Sequence, residues 1–375
     1  MFLTNSVLVR LCGAAQTSTS TSLTVDRRNR LAERRLNTTV LARCLRRRVA
    51  ACRSIRLPVL LSRIGPTAQL SIARSIARPT AGGSGISLSM VLAMTNRILV
   101  IGATGHLGSR TAERATAAGW SAVGTYFSSP LEAACEQLDV RDPAAVREVI
   151  ERVRPDVVIH TAADRDDWRV MADGGAHVAV ATAAVGVRLV HVSSDAVFSG
   201  KEIEYDESAL PDPVYRYGAA KAAAETAVRA VHPGAAVVRT SLILGDGRGR
   251  HEALTRDLIS GRVRGALFTD MIRKPVHVDD LAGALLELAT SDYRGILNVT
   301  GPDVINRYDL GVLIARREGL DPHRIPAGRI AGSGMSLPTN VRLRTDKAAS
   351  LLSIRLRGVH EFMAATAGQA PAGHP

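Results

Sequence analysis

The stretch GATGHLG, Gly102 to Gly108, constrains the fold more than any other part of this sequence. It follows the apolar segment RILVIGA and opens the alanine-rich segment SRTAERATAAG, so a predicted strand leads through it into a predicted helix. Glycines at Gly102, Gly105 and Gly108 suit a tight turn and a close approach of the backbone to phosphate. The N-terminus of the helix adds free N–H groups and a positive dipole end, which favour an anion. The stretch therefore predicts a dinucleotide-binding turn.

Strand-like and helix-like segments alternate after this turn. SAVGTYF, DVVIHTAA, RLVHVSS and AAVVRTSLILG have the composition of strands, and DPAAVREVIERV begins with an Asp cap and continues with helical spacing. Such alternation predicts an α/β fold with a doubly wound parallel sheet. We predict a dinucleotide-binding domain over residues 96–244, a smaller substrate-binding lobe over 245–365 that is interleaved with it, and a tail over 366–375.

The first 95 residues differ from the rest of the chain in charge. They hold 15 Arg, no Lys and two acidic residues, whereas the remaining basic and acidic residues balance at 33 each. The net charge of +13 therefore belongs to this extension, and we expect no nucleic-acid binding by the core. Three interpretations stay open: an organellar transit peptide, a disordered basic arm, and an extension from a wrongly chosen start codon upstream of Met90 or Met94. We expect a cytoplasmic protein, or an organellar one if the extension is a transit peptide.

The sequence supports neither a membrane protein nor a metal-binding site. The longest apolar runs, such as LPVLL and RILVIGA, are too short to span a bilayer. Of the four cysteines only Cys135 lies outside the extension, and the sequence contains neither a C-x-x-C pair nor metal-ligand spacing. We therefore expect neither a membrane protein nor a metal site.

The segment YRYGAAKAAAE places a tyrosine and a lysine four residues apart at the start of an alanine-rich helix. Tyr217 and Lys221 would share one face of that helix. A free phenol has a pKa of about 10, and a neighbouring ammonium group is expected to lower that pKa toward the working range of a general acid. The alternative is a surface pair with a solvated Lys221 and a half-buried Tyr217.

Five motifs occur in a fixed order along the core: GATGHLG, LDVRD, HTAA, SSDAVFSG and YGAAK. With this order the sequence resembles the extended short-chain dehydrogenase/reductase family. The later segments RKPVHVDDLAGALLELA and GILNVTGPDVINRYDL resemble its dTDP-4-dehydrorhamnose reductase branch, and the resemblance covers about residues 97–363. It implies an NAD(P)-dependent oxidoreductase that reduces a 4-keto nucleotide sugar. The family also allows a homodimer.

The resemblance assigns roles to individual residues. Tyr217 would protonate the developing alkoxide, Lys221 would lower the pKa of Tyr217 and hold the nicotinamide ribose, and Ser194, in preference to Ser193, would hydrogen-bond the substrate carbonyl. The residues expected to bind the cofactor are Gly102, Thr104, Gly105, His106, Leu107, Gly108, Asp139, Val140, Ala162, Ala163, Tyr217 and Lys221. The residues expected to contact the substrate are Ser194, Asp195, Arg239 and Arg273.

The end of the second predicted strand bears on which dinucleotide binds. Enzymes that prefer NAD often place Asp or Glu there, where it binds the ribose hydroxyls. Here the segment GTYFSS carries no acid, and Arg110, just after the glycine-rich turn, would attract a 2′-phosphate. We expect NADP(H) in preference to NAD(H), with Asp139 near the adenine.

Three positions depart from the pattern of the family. Ala196 and Leu242 replace an expected tyrosine and tryptophan, and His160 replaces asparagine in HTAA. These departures leave the substrate open. The candidate cations for a substrate diphosphate are Arg273, Lys274, Arg342 and Arg344. The departures also keep a second function open, a non-catalytic NADP-binding module that resembles the regulatory subunit of methionine adenosyltransferase. A third hypothesis gives the basic extension the function, as an organellar address or an RNA contact.

Overall fold

The structure is a computed structural model that describes residues 96–129 and 135–364. The predicted basic extension and the tail from residue 366 lie outside the described residues. In chain order, the strands are β1 (Arg97–Ile101), β2 (Ser121–Tyr126), β3 (Cys135–Gln137), β4 (Val157–His160), β5 (Arg188–Ser194), β6 (Glu204–Tyr205), β7 (Ala236–Thr240), β8 (Ile243–Leu244), β9 (Leu267–Phe268), β10 (Ile272–Arg273), β11 (Val276–His277), β12 (Gly295–Asn298), β13 (Ile305–Asn306), β14 (Ala327–Gly328) and β15 (Arg342–Leu343).

Helices connect most of these strands. In chain order they are α1 (His106–Ala117), α2 (Pro143–Val153), α3 (Gly174–Val185), α4 (Arg216–Val231), α5 (Arg250–Ser260), α6 (Val278–Thr290), α7 (Arg307–Arg317), α8 (Asp346–Leu351) and α9 (Val359–Ala364). A π-helical turn (Arg169–Asp173) precedes α3, and two short 3₁₀ turns occupy Asp195–Val197 and Pro322–Arg324.

The main sheet has seven strands in the order β3-β2-β1-β4-β5-β7-β12, and every neighbouring pair in it is parallel. The strand order reverses direction between β1 and β4, the point at which open α/β sheets bind ligands beyond the carboxyl ends of their strands. The prediction of a doubly wound parallel sheet is therefore confirmed.

Side chains of β1 alternate between the two faces of the sheet, as the period of two in a strand requires. Ile98 and Val100 pack into one hydrophobic cluster with residues of α1 and α6, and Leu99 and Ile101 pack into a second cluster with residues of α2 and α3. Helices thus cover both faces of the central strands, which is how parallel sheets are normally buried.

Helix α2 shows how local sequence sets the ends of an element. Asp142 caps its first turn by accepting a hydrogen bond from the N–H of Ala144 at 2.8 Å, and Pro143 occupies the first helical position, where no N–H is needed. The helix ends at Arg154, which has a left-handed φ of 49°. The predicted Asp cap is confirmed.

The last third of the chain returns to the main sheet. Helix α6 packs in the same hydrophobic cluster as α1, and β12 pairs with β7. The remaining short strands form two-stranded pairs, β8 with β11, β10 with β13, β9 with β14, and β6 with β15. All the described residues belong to one compact unit of the chain. A domain boundary at residue 244 therefore stays a prediction.

A buried ion pair joins α4 to the main sheet. The carboxylate of Glu225 on α4 accepts hydrogen bonds from the Arg239 guanidinium of β7, the shortest at 2.8 Å, and from the Ser193 hydroxyl of β5 at 2.6 Å. The Arg239 side chain is 0% exposed and that of Glu225 2%. Charges removed from water to this degree are tolerated only when they are paired and hydrogen-bonded.

We expect Glu225→Gln to lower the free energy of unfolding by roughly 3–5 kcal/mol, because it leaves the Arg239 charge buried without a counter-charge. Denaturant unfolding of the purified protein measures the change. The matched control is Glu113→Gln, since Glu113 is 51% exposed in its ion pair with Arg110; it should change the free energy of unfolding by less than about 0.5 kcal/mol.

The double variant Glu225→Leu with Arg239→Met removes both charges together. It should recover much of the stability that Glu225→Gln loses, since apolar residues of similar volume can replace a buried ion pair at little cost. Equal losses for Glu225→Gln and Glu113→Gln would contradict the assignment.

Candidate active site

A cavity of about 500 Å³ lies beyond the carboxyl ends of β1, β2, β4, β5 and β7. Every residue predicted to bind the cofactor lines it, and so does Ser194. These lining residues are Gly102, Thr104, Gly105, His106, Leu107, Gly108, Asp139, Val140, Ala162, Ala163, Tyr217 and Lys221. The fold therefore brings together residues that lie up to 119 positions apart in the sequence.

The three glycines of the turn are needed for different structural reasons. Gly102 has a φ of +86°, and a Cβ there would lie 2.6 Å from the backbone of Ala162. A Cβ on Gly108 would lie 2.1 Å from the carbonyl oxygen of Gly102. A Cβ on Gly105 would meet only that oxygen, at 3.4 Å, and would otherwise face open space. Gly102 and Gly108 are thus needed for packing, whereas Gly105 keeps the cavity open.

Helix α1 starts next to this open space. Its N-cap is Gly105, which provides no side-chain cap, so the first N–H groups of the helix remain available beside the cavity. Together with the helix dipole they form a cradle for an anion. The turn fits the phosphates of a dinucleotide.

Another part of the cavity is lined by Phe127, Asp139 and Arg141. The Arg141 guanidinium lies 2.8 Å from the Asp139 carboxylate, 3.0 Å from Asp167, and 5.0 Å from the centre of the Phe127 ring. The hydrogen bonds that Arg141 donates to Asp139 and then to Asp167 raise the pKa of Arg141, so it stays charged. Arg141 was not singled out from the sequence, although it stands within the LDVRD motif.

Arg110 does not line this cavity. Its guanidinium forms ion pairs with Asp279 at 2.7 Å and with Glu113 at 2.9 Å. Because Arg110 lies outside the cavity, the expected attraction of Arg110 for a 2′-phosphate finds no support in the structure. Arg141 does line the cavity, at its end next to β2, where its partners are Asp139 and Asp167.

Helix α4 presents Tyr217 and Lys221 to the cavity from successive turns. Lys221 is 5% exposed, and its Nζ donates a hydrogen bond to the carbonyl oxygen of Val192 at 2.9 Å. Burial lowers the pKa of Lys221 to about 8, against an opposing effect of Glu225. The alternative of a solvated surface pair is therefore wrong.

The pKa of Tyr217 departs from the expected direction. Burial raises the pKa of the phenol above its usual value, and the Ser194 hydroxyl and the Arg165 guanidinium only partly oppose this shift. The guanidinium carbon of Arg165 lies 4.4 Å from the centre of the Tyr217 ring. The net shift is therefore upward, opposite to the expected direction, because removal from water outweighs the nearby charges.

The structure separates the two serines at the end of β5. Ser193 donates its hydroxyl to the buried Glu225 and is committed to the core. Ser194 and Ser193 both line the cavity, but the Ser194 Oγ accepts a hydrogen bond only from the Ala196 N–H and lies 3.2 Å from Asp195 Oδ1. This geometry favours Ser194 over Ser193 as the group that meets a substrate carbonyl.

The predicted substrate contact at Arg239 has to be corrected. Its guanidinium is fully buried against Glu225, and it lies over the Phe198 ring at 4.8 Å instead of lining the cavity. Glu225 neutralises the charge of Arg239 inside the core, so this guanidinium is not available to bind a substrate.

Arg273 and Asp195 lie close to each other. Arg273 Nε is 3.5 Å from Asp195 Oδ2, which also accepts a hydrogen bond from Ser241 at 2.6 Å. The other amino groups of Arg273 donate to backbone carbonyls, among them Pro338 at 2.7 Å. Arg273 thus ties β10 to neighbouring loops, and a substrate contact for it stays a prediction.

The other candidate cations have partners of their own. Lys274 donates to the carbonyl oxygen of Leu343 at 3.0 Å. Arg342 donates to Asn340, and Arg344 pairs with Asp346 at 3.0 Å. None of the three lines the described cavity.

Two features near the site escaped sequence reasoning. His160 and His191 form a buried pair with their Nδ1 atoms 3.0 Å apart, and burial lowers the pKa of both, that of His160 to about 3. Both imidazoles are therefore neutral. Arg165, next to Tyr217, lies in a polar loop after β4 that carried no recognisable pattern. Only the substitution of His160 for the family's asparagine gave a signal.

Some classes of site are missing from residues 96–129 and 135–364. In these ranges no group of three His, Cys, Asp or Glu side chains is arranged to hold a metal ion. No helix there has the length and apolar character that crossing a membrane requires.

Two groups of proteins are similar in sequence to most of the core. The dTDP-4-dehydrorhamnose reductase of Mycobacterium tuberculosis is 34% identical over 250 residues, which cover 62% of this chain and 78% of that protein. Methionine adenosyltransferase 2 subunit beta of Pongo abelii is 29% identical over 275 residues, which cover 68% of this chain and 82% of that protein.

A solved structure has the same fold. The crystal structure of dTDP-4-dehydrorhamnose reductase from Bacillus anthracis in complex with NADP superimposes with a TM-score of 0.62 at 24% identity, covering 73% of this chain and 99% of that one. A family model described as the RmlD substrate binding domain matches residues 96–368, nearly the whole core. The chain therefore belongs to the RmlD substrate binding domain family, in agreement with its predicted resemblance to the dTDP-4-dehydrorhamnose reductase branch.

Proposed function

We propose that this protein is an NADP(H)-dependent reductase of a 4-keto nucleotide sugar. The observation that carries the proposal is the convergence of Ser194, Tyr217 and Lys221 in one cavity with the glycine cradle. The relatives named dTDP-4-dehydrorhamnose reductase support the oxidoreductase class and the nucleotide-sugar substrate. NAD(H) is the second cofactor that the cavity would accept.

The cavity residues divide the binding of the dinucleotide among them. The Gly102–Gly108 turn and the N-terminus of α1 hold the phosphates, and Asp139 lies where it would meet the adenine. Arg141 supplies positive charge for a 2′-phosphate, and Lys221 holds the nicotinamide ribose. When bound, NADPH supplies the hydride.

Tyr217 gives the proton in this mechanism. As C4 of the sugar gains the hydride, the carbonyl π electrons move to oxygen, and the Tyr217 O–H bond breaks to protonate that oxygen. With an ordinary pKa of about 10 a phenol is protonated at neutral pH, which is the form that a general acid needs. The tyrosinate that remains regains its proton from solvent.

Ser194 and Lys221 stabilise the negative charges that develop in the same step. The Ser194 hydroxyl donates to the substrate oxygen as negative charge develops on it, and so stabilises the oxyanion. The Lys221 ammonium, held 2.9 Å from the Val192 carbonyl oxygen, stabilises the tyrosinate. The hydrogen bond to Val192 and the burial of the side chain hold the Lys221 ammonium group in place.

A second function is favoured by the relatives named methionine adenosyltransferase 2 subunit beta. With Ala196 and Leu242 in place of the aromatic residues expected near the sugar, the chain would bind NADP and act as a regulatory module without turnover. The first experiment measures NADPH oxidation by residues 94–375 with a panel of 4-keto nucleotide sugars. Turnover supports the reductase, whereas tight NADPH binding without turnover of any sugar supports the regulatory module.

We expect Tyr217→Phe to lower the rate of NADPH oxidation by about 10²–10⁴-fold, since the proton donor is lost. Its affinity for NADPH, measured by fluorescence titration, should stay nearly unchanged. Tyr293→Phe is the matched control, because Tyr293 donates its hydroxyl to the Ile296 carbonyl oxygen and does not line the cavity. Equal losses of rate and affinity in Tyr217→Phe would contradict its role as the acid.

The glycine turn predicts a contrast between two alanine variants. Gly105→Ala should weaken NADPH binding at least about tenfold, equivalent to about 1.4 kcal/mol, because its methyl group would occupy the phosphate cradle. Its free energy of unfolding should fall by less than about 1 kcal/mol. Gly108→Ala should lower the free energy of unfolding by about 1–3 kcal/mol, because its Cβ would overlap the Gly102 carbonyl oxygen.

Titration with NADPH and thermal or denaturant unfolding of the same two variants test this contrast. A Gly105→Ala protein that binds NADPH as tightly as the parent would show that the phosphates lie elsewhere.

The position of Arg141 predicts cofactor preference. Arg141→Gln should lower the ratio of NADPH to NADH affinity by roughly tenfold or more, since a charge-assisted hydrogen bond contributes about 1.5–3 kcal/mol. Arg110→Gln is the control, and it should leave the ratio unchanged because Arg110 lies outside the cavity. Both affinities are measured by titration. A fall of the ratio in Arg110→Gln alone would restore the role first expected for Arg110.

A further inference from the structure

Helix α4 begins at a residue that is poorly suited to start a helix. Its N-cap is Tyr215, whose side chain makes no capping hydrogen bond. Ser, Thr, Asp and Asn are preferred at this position, because their short side chains accept a hydrogen bond from a free N–H group of the first turn. In this chain Asp142 caps α2 and Asn306 caps α7 in that way. Helix stability therefore does not explain the tyrosine at the start of α4.

Tyr215 lies beside the proposed acid. The centres of the Tyr215 and Tyr217 rings are 6.0 Å apart, and the ring planes are tilted by 40°. Tyr215 is half-buried, and its hydroxyl makes no hydrogen bond to any other residue within 96–129 and 135–364. By contrast, the half-buried Tyr293 donates its hydroxyl to the Ile296 carbonyl oxygen. Part of the Tyr215 side chain is thus accessible to a ligand, and its polar end is unpaired.

The hydroxyl of Tyr215 keeps its proton. Burial, and then the charge of Asp195, raise the pKa of Tyr215 to about 12, against the opposing charge of Arg165. A phenol with this pKa is neutral at neutral pH, so it can donate a hydrogen bond as well as accept one. It can therefore meet a sugar hydroxyl in either role.

The aromatic side chains that the family pattern leads us to expect are missing from the same region. Ala196 replaces an expected tyrosine, and its carbonyl oxygen lies 2.0 Å from the place where a Cβ on Gly218 would be, so Ala196 packs against the first turn of α4. Leu242 replaces an expected tryptophan and packs into a hydrophobic cluster that contains Leu244. Neither residue offers a flat face to a ligand, whereas Tyr215, at the start of the same helix, has one.

We propose that Tyr215 is a specificity-determining residue that packs its ring against the hexose of the nucleotide sugar and donates its hydroxyl to a sugar hydroxyl. The inference rests on the proposed function, because Tyr217 places the reacting carbonyl of the sugar next to Tyr215. The faces of a sugar ring present C–H groups and its edge presents hydroxyls, so a side chain with an apolar ring and a polar tip suits it. Tyr215 supplies the aromatic surface that residues 196 and 242 lack.

Calorimetric titration measures this contact without turnover. The protein is saturated with NADP⁺ and titrated with dTDP-glucose and, separately, with dTDP, so that the two probes differ by the hexose. Tyr215→Leu should weaken binding of dTDP-glucose at least about tenfold and should change that of dTDP less than about twofold. Tyr215→Phe keeps the ring and should weaken binding of dTDP-glucose about 2- to 10-fold, the effect of one neutral hydrogen bond. The matched control is Tyr293→Leu, which should leave both affinities unchanged.

A second variant separates a binding role from a structural one. Tyr215→Asn and Tyr215→Leu both lack the ring, but Asn is a good helix cap, so Tyr215→Asn should unfold at the higher temperature. We expect the two variants to lose the same affinity for dTDP-glucose in spite of this difference in stability. An affinity that follows stability instead, or one that falls equally for dTDP and dTDP-glucose, would overturn the proposal.

The result for Tyr215 is separable from the result for the reductase. NADPH affinity should be the same in Tyr215→Leu and the parent, because Tyr215 does not line the cofactor cavity. Binding of dTDP-glucose that depends on Tyr215, in a protein that turns over no 4-keto sugar, would refute the reductase and leave the sugar contact standing. Failure of dTDP-glucose to bind, or an unchanged KM of Tyr215→Leu for a 4-keto sugar that the parent reduces, would overturn the sugar contact.

Discussion

The contact between the Gly102–Gly108 turn and the loop after β4 is the constraint on which the rest of the site depends. Gly102 lies against the backbone of Ala162, and Gly108 lies against the Gly102 carbonyl oxygen, so neither position leaves room for a Cβ. This contact fixes the start of α1 above the reversal of strand order between β1 and β4. The cavity and the free N–H groups at the start of α1 lie beside this contact.

One face of helix α4 carries both a residue that stabilises the core and the residues proposed to act in the reaction. Tyr217, Lys221 and Glu225 follow one another at intervals of four residues, so they lie along a single stripe. Glu225 holds Arg239 and Ser193 in the core, Lys221 is fixed by the Val192 carbonyl oxygen, and Tyr217 reaches the cavity. Because the Ser193 hydroxyl donates to Glu225, Ser194 is the serine of the two whose hydroxyl is free of the buried ion pair. The buried ion pair therefore helps to position the group proposed to act on the substrate.

Sequence patterns predicted what depends on local spacing. The parallel sheet, the Asp142 cap, the glycine turn and the Tyr217–Lys221 pair all follow from residues close together in the chain. Patterns could not predict which charges would be paired across long distances. Arg110 meets Asp279 and Arg239 meets Glu225 only in the folded protein, and this pairing removes both from the roles first expected of them. Burial of Tyr217 likewise reverses the expected direction of its pKa shift.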